Sequence, residues 1–274
     1  MGGAFTFGAG LWDPSHRFET SWLLSPYALF FCRALFSLYA FVTLVFILAW
    51  DCTHASDGGC TSSQDEFSYF TVLTYWGLAF YFLAAAIHTF TYARSRTSEA
   101  LIDRFPRPLQ ALHSAFYTTA TVYPFVVTIV YWGRLYSGTW FPVTFDAWSN
   151  LSRHALNSVF ASFEIIVPRT NPPPAVHMLW IILILALYLS LAYLTHATKG
   201  FYPYDFLDPV KQKGYVAAYV FGIAVGSLII FGIVWGLIWL RKWITEKKLH
   251  MDGKFARGPR RDGDLEMTGR DEMK

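Results

Sequence analysis

The 274 residues are 54% hydrophobic and 19% aromatic, and only 15% of them carry charge. A water-soluble globule of this size would be under-solvated by so few charges, so lipid is the expected solvent. The net charge of +3 is the difference between a basic tail and an acidic first external loop, and it points to no nucleic-acid partner.

The chain opens with a segment, 1–26, whose Leu11, Trp12, Phe18, Trp22 and Leu23 suit the membrane interface. An interfacial anchor is the expected role, and a partner-binding arm is the other reading. The first dozen residues lack the basic start of a cleavable signal, so the first apolar run is expected to be retained as a signal anchor.

A helix needs roughly 20 apolar residues to cross the hydrocarbon layer. Five stretches free of Asp, Glu, Lys and Arg meet this need: 34–50 with its apolar extension back to residue 27, then 67–93, 108–133, 170–198 and 214–240. A sixth, 149–167, contains Arg153, His154, Asn157 and Glu164. Including it places Arg17, Arg94, Arg96, Arg104, Arg107, Arg169 and the basic tail on one side, as the positive-inside rule requires. The expectation is therefore an all-α, six-transmembrane-helix bundle over 27–240 with both termini cytosolic. A disordered basic tail, 241–274, follows it. Glu164 is expected to pair with Arg169 or with a backbone group.

Cys52 and Cys60 lie in the first external loop, while Cys32 lies within the first helix. An oxidising exterior favours a disulfide closing that loop, and two free thiols are the alternative. In the last helix Gly222, Gly226, Gly232 and Gly236 form two small-xxx-small pairs. Packing inside the bundle is the expected use, with homo-oligomer formation as the second. Pro172, Pro173 and Pro174 mark a rigid turn.

No phosphate loop, nucleophile elbow or metalloprotease helix is present, so the search turns to polar groups inside the membrane. Thr71 and Thr74 share one face of the second span beside Tyr69 and Tyr75, and His154 and Asn157 share one face of the fourth. At 1.5 Å per residue, Thr74 would lie roughly 11 Å and His154 roughly 8 Å below the external surface. A hydroxyl and an imidazole in one layer suit nucleophilic catalysis, because a Thr hydroxyl needs a base to take its proton. A polar pair that merely holds two helices together is the commoner use.

Several of these residues resemble the androgen-induced and androgen-dependent TFPI-regulating membrane proteins, in particular their fungal branch. The resemblance rests on Leu73-Thr74-Tyr75, on Tyr123-Pro124 with Tyr131-Trp132, and on Trp148 six residues before His154. It continues through residues 195–200 to Tyr202-Pro203 and Phe206-Leu207. The resemblance implies a six-helix hydrolase of fatty-acid esters of hydroxy fatty acids. Thr74 would be its nucleophile and His154 its base, with no cofactor or metal; Thr71, Tyr75 and Asn157 are possible supports only because helical spacing puts them nearby. Its partners would be membrane lipids, and its home the endoplasmic reticulum, another endomembrane or the plasma membrane. The chain departs from the family's animal members in keeping only one His before the fourth helix, in an insertion around Tyr204-Asp205, and in its long first loop and basic tail.

Two other functions fit some of the residues. His88, His113, His154, His177 and His196 lie in or near helix ends and would allow a haem-binding b-type cytochrome. A transporter would be expected to show internal repeats or broken helices with charges near the midplane, and neither is visible; a non-enzymatic structural or trafficking role would leave no sequence signature.

Overall fold

The structure, a computed structural model, describes residues 13–54, 58–95 and 100–251. Among the described residues nine α-helices run in chain order: α1 Pro26–Thr53, α2 Gly59–Asp65, α3 Phe70–Arg94, α4 Arg107–Val130, α5 Thr144–Leu151, α6 Asn157–Ile166, α7 His177–Lys199, α8 Pro209–Gln212 and α9 Val216–Lys242. No strand forms among the described residues; one antiparallel bridge joins Ser21 to Pro168.

Local chemistry sets several boundaries. The Ser25 hydroxyl accepts from the Ala28 N–H and Pro26 follows as the first helical residue, a favoured start for α1. α7 stops at Gly200, which takes the left-handed conformation that glycine adopts at least cost. α3 begins at Phe70, three residues later than its apolar run suggests, because Glu66–Ser68 form a separate 3₁₀ turn and Tyr69 is extended. α5 and α6 are joined through a wide π turn, Ser152–Leu156, and a second π turn, Tyr131–Leu135, ends α4.

Among the described residues four helices, α1, α3, α7 and α9, are long and apolar enough to cross a membrane by length and composition. α4 packs against α3, α6 and α9, so the less apolar segments are embedded among the apolar ones. Large side chains such as Phe31, Leu35, Val42, Leu179, Leu187, Phe221 and Ile229 point outward along the long helices. An apolar surface this extensive suits lipid and not water.

α3 is the central helix. Tyr75, Leu78, Tyr81 and Phe82 are buried in the main core with Tyr117 and Tyr123 of α4 and Phe160 of α6. Phe36 of α1 stacks on Phe160 at 4.6 Å and meets Phe82 edge-on at 5.3 Å, which locks α1, α3 and α6 together.

Glu164 pairs with Arg33, not with Arg169. Arg33 Nε and Nη2 donate to the two Glu164 oxygens at 2.7 and 2.8 Å, while Nη1 donates to Phe18 O and Thr89 Oγ1, both at 2.6 Å. The Tyr81 hydroxyl adds a bond to Glu164 at 3.0 Å. Only a fork-to-fork pair with its remaining donors satisfied can hold two charges at about 1% exposure.

Residues 13–25 are partly embedded, with Pro14, Ser15 and Leu23 exposed. Glu19, Thr20 and Ser21 are fully buried, Phe18 packs on His113 and Tyr117, and the Trp22 Nε1–H donates to Ile166 O at 2.7 Å. Leu11 and Trp12 fall outside the described residues, as does the tail beyond Met251. Cys52 and Cys60 are joined by a disulfide. The four α9 glycines do not serve packing within the bundle, since a Cβ built at Gly222, Gly226, Gly232 or Gly236 meets nothing within 4 Å.

Candidate active site

Two cavities meet at the first turn of α3. One, of about 250 Å³, is almost wholly apolar and lies among α4, α7 and α9, with Val126, Val130, Leu185, Leu189, Ile223 and Ala224 in its wall. Phe221, 70% exposed, stands at its edge. The other, of about 590 Å³, is polar and is lined by Asp65, Glu66, Tyr69, Arg134, Arg153, His154 and Asp205. Thr71, Tyr131, Leu135, Tyr204 and Phe206 line both.

Thr71 is the second residue of α3, so its N–H lies in the turn that has no intrahelical acceptors. The Thr71 N–H donates instead to the Tyr204 hydroxyl at 3.3 Å, and Thr71 Oγ1 lies 3.4 Å from the same hydroxyl. Tyr204 stands on the loop after α7, stacked on Phe206 and met edge-on by Tyr69. The Tyr188 hydroxyl, which donates to Ser68 O at 3.1 Å, closes the same corner. Burial raises the Tyr204 phenol above its ordinary range, with the Thr71 bonds opposing. It therefore stays a neutral O–H donor.

His154 sits in the π turn between α5 and α6. Its ring lies flat on Tyr131 with centroids 3.5 Å apart and planes 8° from parallel. Its Nδ1 is 3.0 Å from Asn150 O, so Nδ1 carries the proton and Nε2 keeps a lone pair. Trp132 Nε1–H donates to His154 O at 2.9 Å, and Tyr131 donates to Asn150 Oδ1 at 2.7 Å. The neighbouring Arg153 bonds Glu66 at 2.6 Å and ties this turn to the residues just before α3.

The expected partners do not all assemble. Thr74 lines a different, largely apolar cavity among α3, α4 and α7, and His154 is absent from that wall. Its hydroxyl bonds back to Phe70 O and Thr71 O at 2.8 and 3.0 Å, an ordinary use of Thr inside a helix. Tyr75 is buried in the core and lines neither of the cavities at Thr71. Asn157 fastens α6 to the proline-containing stretch of α4: its Nδ2 donates to Pro124 O and its Oδ1 accepts from Thr128. Thr71 thus shares the His154 cavity, one helical turn nearer the N-terminal end of α3 than Thr74.

The histidines are engaged with near neighbours rather than facing across an open gap. His88 and His113 meet edge to face with centroids 5.0 Å apart, which leaves no room for a macrocycle between them. His177 bonds Thr118 at 2.6 Å, and His196 stacks on Tyr202 at 3.9 Å. No cluster of three or more metal-ligating side chains occurs among the described residues.

Tyr131 and Trp132, whose role the sequence left open, prove to hold His154. Tyr204 gave no advance signal, because only the fold brings residue 204 to residue 71. No curated protein and no solved structure matches the chain. The family model described as FAR-17a/AIG1-like protein matches residues 32–237, three-quarters of the sequence and every side chain of the two cavities, so the chain belongs to the FAR-17a/AIG1-like family.

Proposed function

We propose that this chain is an intramembrane hydrolase of lipid esters, such as fatty-acid esters of hydroxy fatty acids, in which Thr71 is the nucleophile and His154 the base. The observation that carries the reading is Thr71 at the junction of an acyl-sized apolar cavity and a polar cavity that contains His154. An ester carbonyl at that junction would have its chain in the first and its reacting atoms facing the second.

In this mechanism His154 Nε2 takes the Thr71 proton as Oγ1 attacks the carbonyl carbon. The tetrahedral oxyanion is met by the positive end of α3 and by the Tyr204 hydroxyl. Collapse expels the alcohol, which His154 protonates, and leaves an acyl-Thr71 ester. His154 then takes a proton from water as it attacks this ester, releasing the fatty acid and restoring Thr71. The chemistry calls on no metal or cofactor.

We also propose six membrane spans, with α4 and the segment 144–166 as the two less apolar ones, and the ends near Arg17 and Arg241 on the cytosolic side. Charge supports this orientation. At the opposite end Arg153, Lys199 and Lys211 are each paired with an acid. A lipid-ester substrate suits residence in the endoplasmic reticulum, another endomembrane or the plasma membrane.

The test is covalent labelling by a fluorophosphonate probe in membranes at matched expression. Thr71→Ala and His154→Ala abolish labelling, Thr71→Ser retains it, and Thr74→Ala changes it less than about twofold. Loss in Thr74→Ala with retention in Thr71→Ala would reassign the nucleophile; a folded wild type that never labels would end the hydrolase reading.

A further inference from the structure

The acids that line the polar cavity are all engaged. Asp65 pairs with Lys199, Glu66 with Arg153 and Asp205 with Lys211, each at 2.6 Å. Asp146 and Asp208 belong to neighbouring elements but not to the cavity wall, and Asp208 caps α8 through the Val210 and Lys211 N–H groups. Arg134 lines the cavity too, and among the described residues no acid pairs with it. It is exposed, so in the free protein water satisfies its donors.

The fold holds this cation near the reacting groups. Arg134 belongs to the π turn Tyr131–Leu135, a widened turn of the kind that recurs at functional sites. The same turn supplies Tyr131, whose ring supports His154 at 3.5 Å, and Leu135, which lines both cavities. The guanidinium carbon stands 5.4 Å from the ring centroid of Tyr219 on α9, and Tyr219 packs 5.7 Å from Phe206, another residue of both cavities. An aromatic ring attracts the charge but offers no oxygen to the five N–H donors, which stay available for a fork-shaped pair of bonds.

We propose that Arg134 is a specificity-determining residue that binds a carboxylate on the alcohol half of the ester. The inference rests on the hydrolase reading. With the acyl chain in the apolar cavity and the carbonyl at Thr71, the alcohol half lies in the polar cavity, where Arg134 is the lining cation that no described acid engages. A carboxylate presents two oxygens to the guanidinium in a matched pair of bonds and carries the single charge that one cation balances. An ester with an uncharged alcohol half gains nothing from this contact. The phosphate of a phospholipid offers oxygens of the same geometry, so experiment must separate the two sources.

The experiment compares kcat/KM of the purified full chain in mixed micelles for the palmitoyl ester of hydroxystearic acid and for the methyl ester of that compound, in which the carboxylate is capped. Phosphatidylglycerol serves as the phosphate-bearing ester. Wild type is expected to prefer the free acid over its methyl ester by about tenfold, the scale of a charge-assisted hydrogen bond at an exposed site. Arg134→Gln brings that preference within about twofold of unity, and Arg134→Lys keeps part of it. Lys213→Gln removes an exposed cation that does not line the cavity, and it keeps the wild-type preference. Arg134 is exposed, so its variants test the contact without disturbing the core. Equal turnover of acid and methyl ester by wild type, an unaltered preference in Arg134→Gln or an equal loss in Lys213→Gln overturns the assignment and leaves the hydrolase standing. Faster turnover of phosphatidylglycerol that depends on Arg134 overturns the carboxylate. A folded chain that releases fatty acid from none of these esters ends the hydrolase reading, and this inference with it.

Discussion

Individual side chains at two places make separable predictions. The Tyr204 hydroxyl lies 3.4 Å from Thr71 Oγ1, so Tyr204→Phe should slow probe labelling by about a hundredfold to a thousandfold, the range for loss of one oxyanion donor. Labelling time courses read this directly, and an unchanged rate would remove Tyr204 from the mechanism. At the other end, burial holds the Glu19 carboxyl well above the usual glutamate range; Asp13 and Asp103 push it further, and Arg33 opposes. The folded chain therefore binds this proton more tightly than the unfolded chain. Stability is retained below the unfolded glutamate value of about 4.3 and is lost as pH rises through the window above it. Glu19→Gln should unfold at a higher temperature than wild type near neutral pH, and at the same temperature at about pH 4, in detergent melts. His154 and the Thr71–Thr74 face were legible in the sequence. The sharing of the His154 cavity by Thr71 and not by Thr74 was not, because it turns on α3 beginning at Phe70 rather than three residues earlier, a boundary that hydropathy does not resolve.

Helices come together here through one polar lock and many aromatic contacts. Arg33 on α1 and Glu164 on α6 form a pair that neither helix could bury alone. Arg33→Met leaves Glu164 as an uncompensated buried charge, a loss of roughly 3–5 kcal/mol. Arg33→Met/Glu164→Leu should recover part of that in the same thermal melts; a double variant worse than the single would refute the account. The apolar runs of α1, α3, α7 and α9 were visible as hydropathy. This pair was not, because Arg33 abuts an apolar run like an ordinary flanking charge and Glu164 has a nearer basic residue in sequence at Arg169. The α9 glycines misled for a related reason: spacing shows that they share a face, while the neighbour of that face is set by the other helices.

Across the whole molecule, the chain's two described ends close the same end of the bundle. Arg17 bonds Glu246, Arg241 bonds Thr170, and Arg169 bonds Thr20, so the leading segment, the turn after α6 and the end of α9 brace one another. A chain stopped after Leu240 lacks Arg241 and Glu246. Limited trypsin digestion should cut it after Arg17 sooner than the intact protein, and equal resistance would show that the leading segment holds without α9. Sequence pattern suggested an interfacial leading segment because its aromatic residues suit one; that it also buries Glu19 and Thr20 carried no signal in the sequence.

The Arg17–Glu246 contact spans 229 positions of the chain. During synthesis Arg17 emerges long before Glu246, so this end of the bundle stays open until Glu246 has been made. Unfinished or prematurely released chains would carry an exposed N-terminal segment, a feature by which quality control could tell them from finished ones.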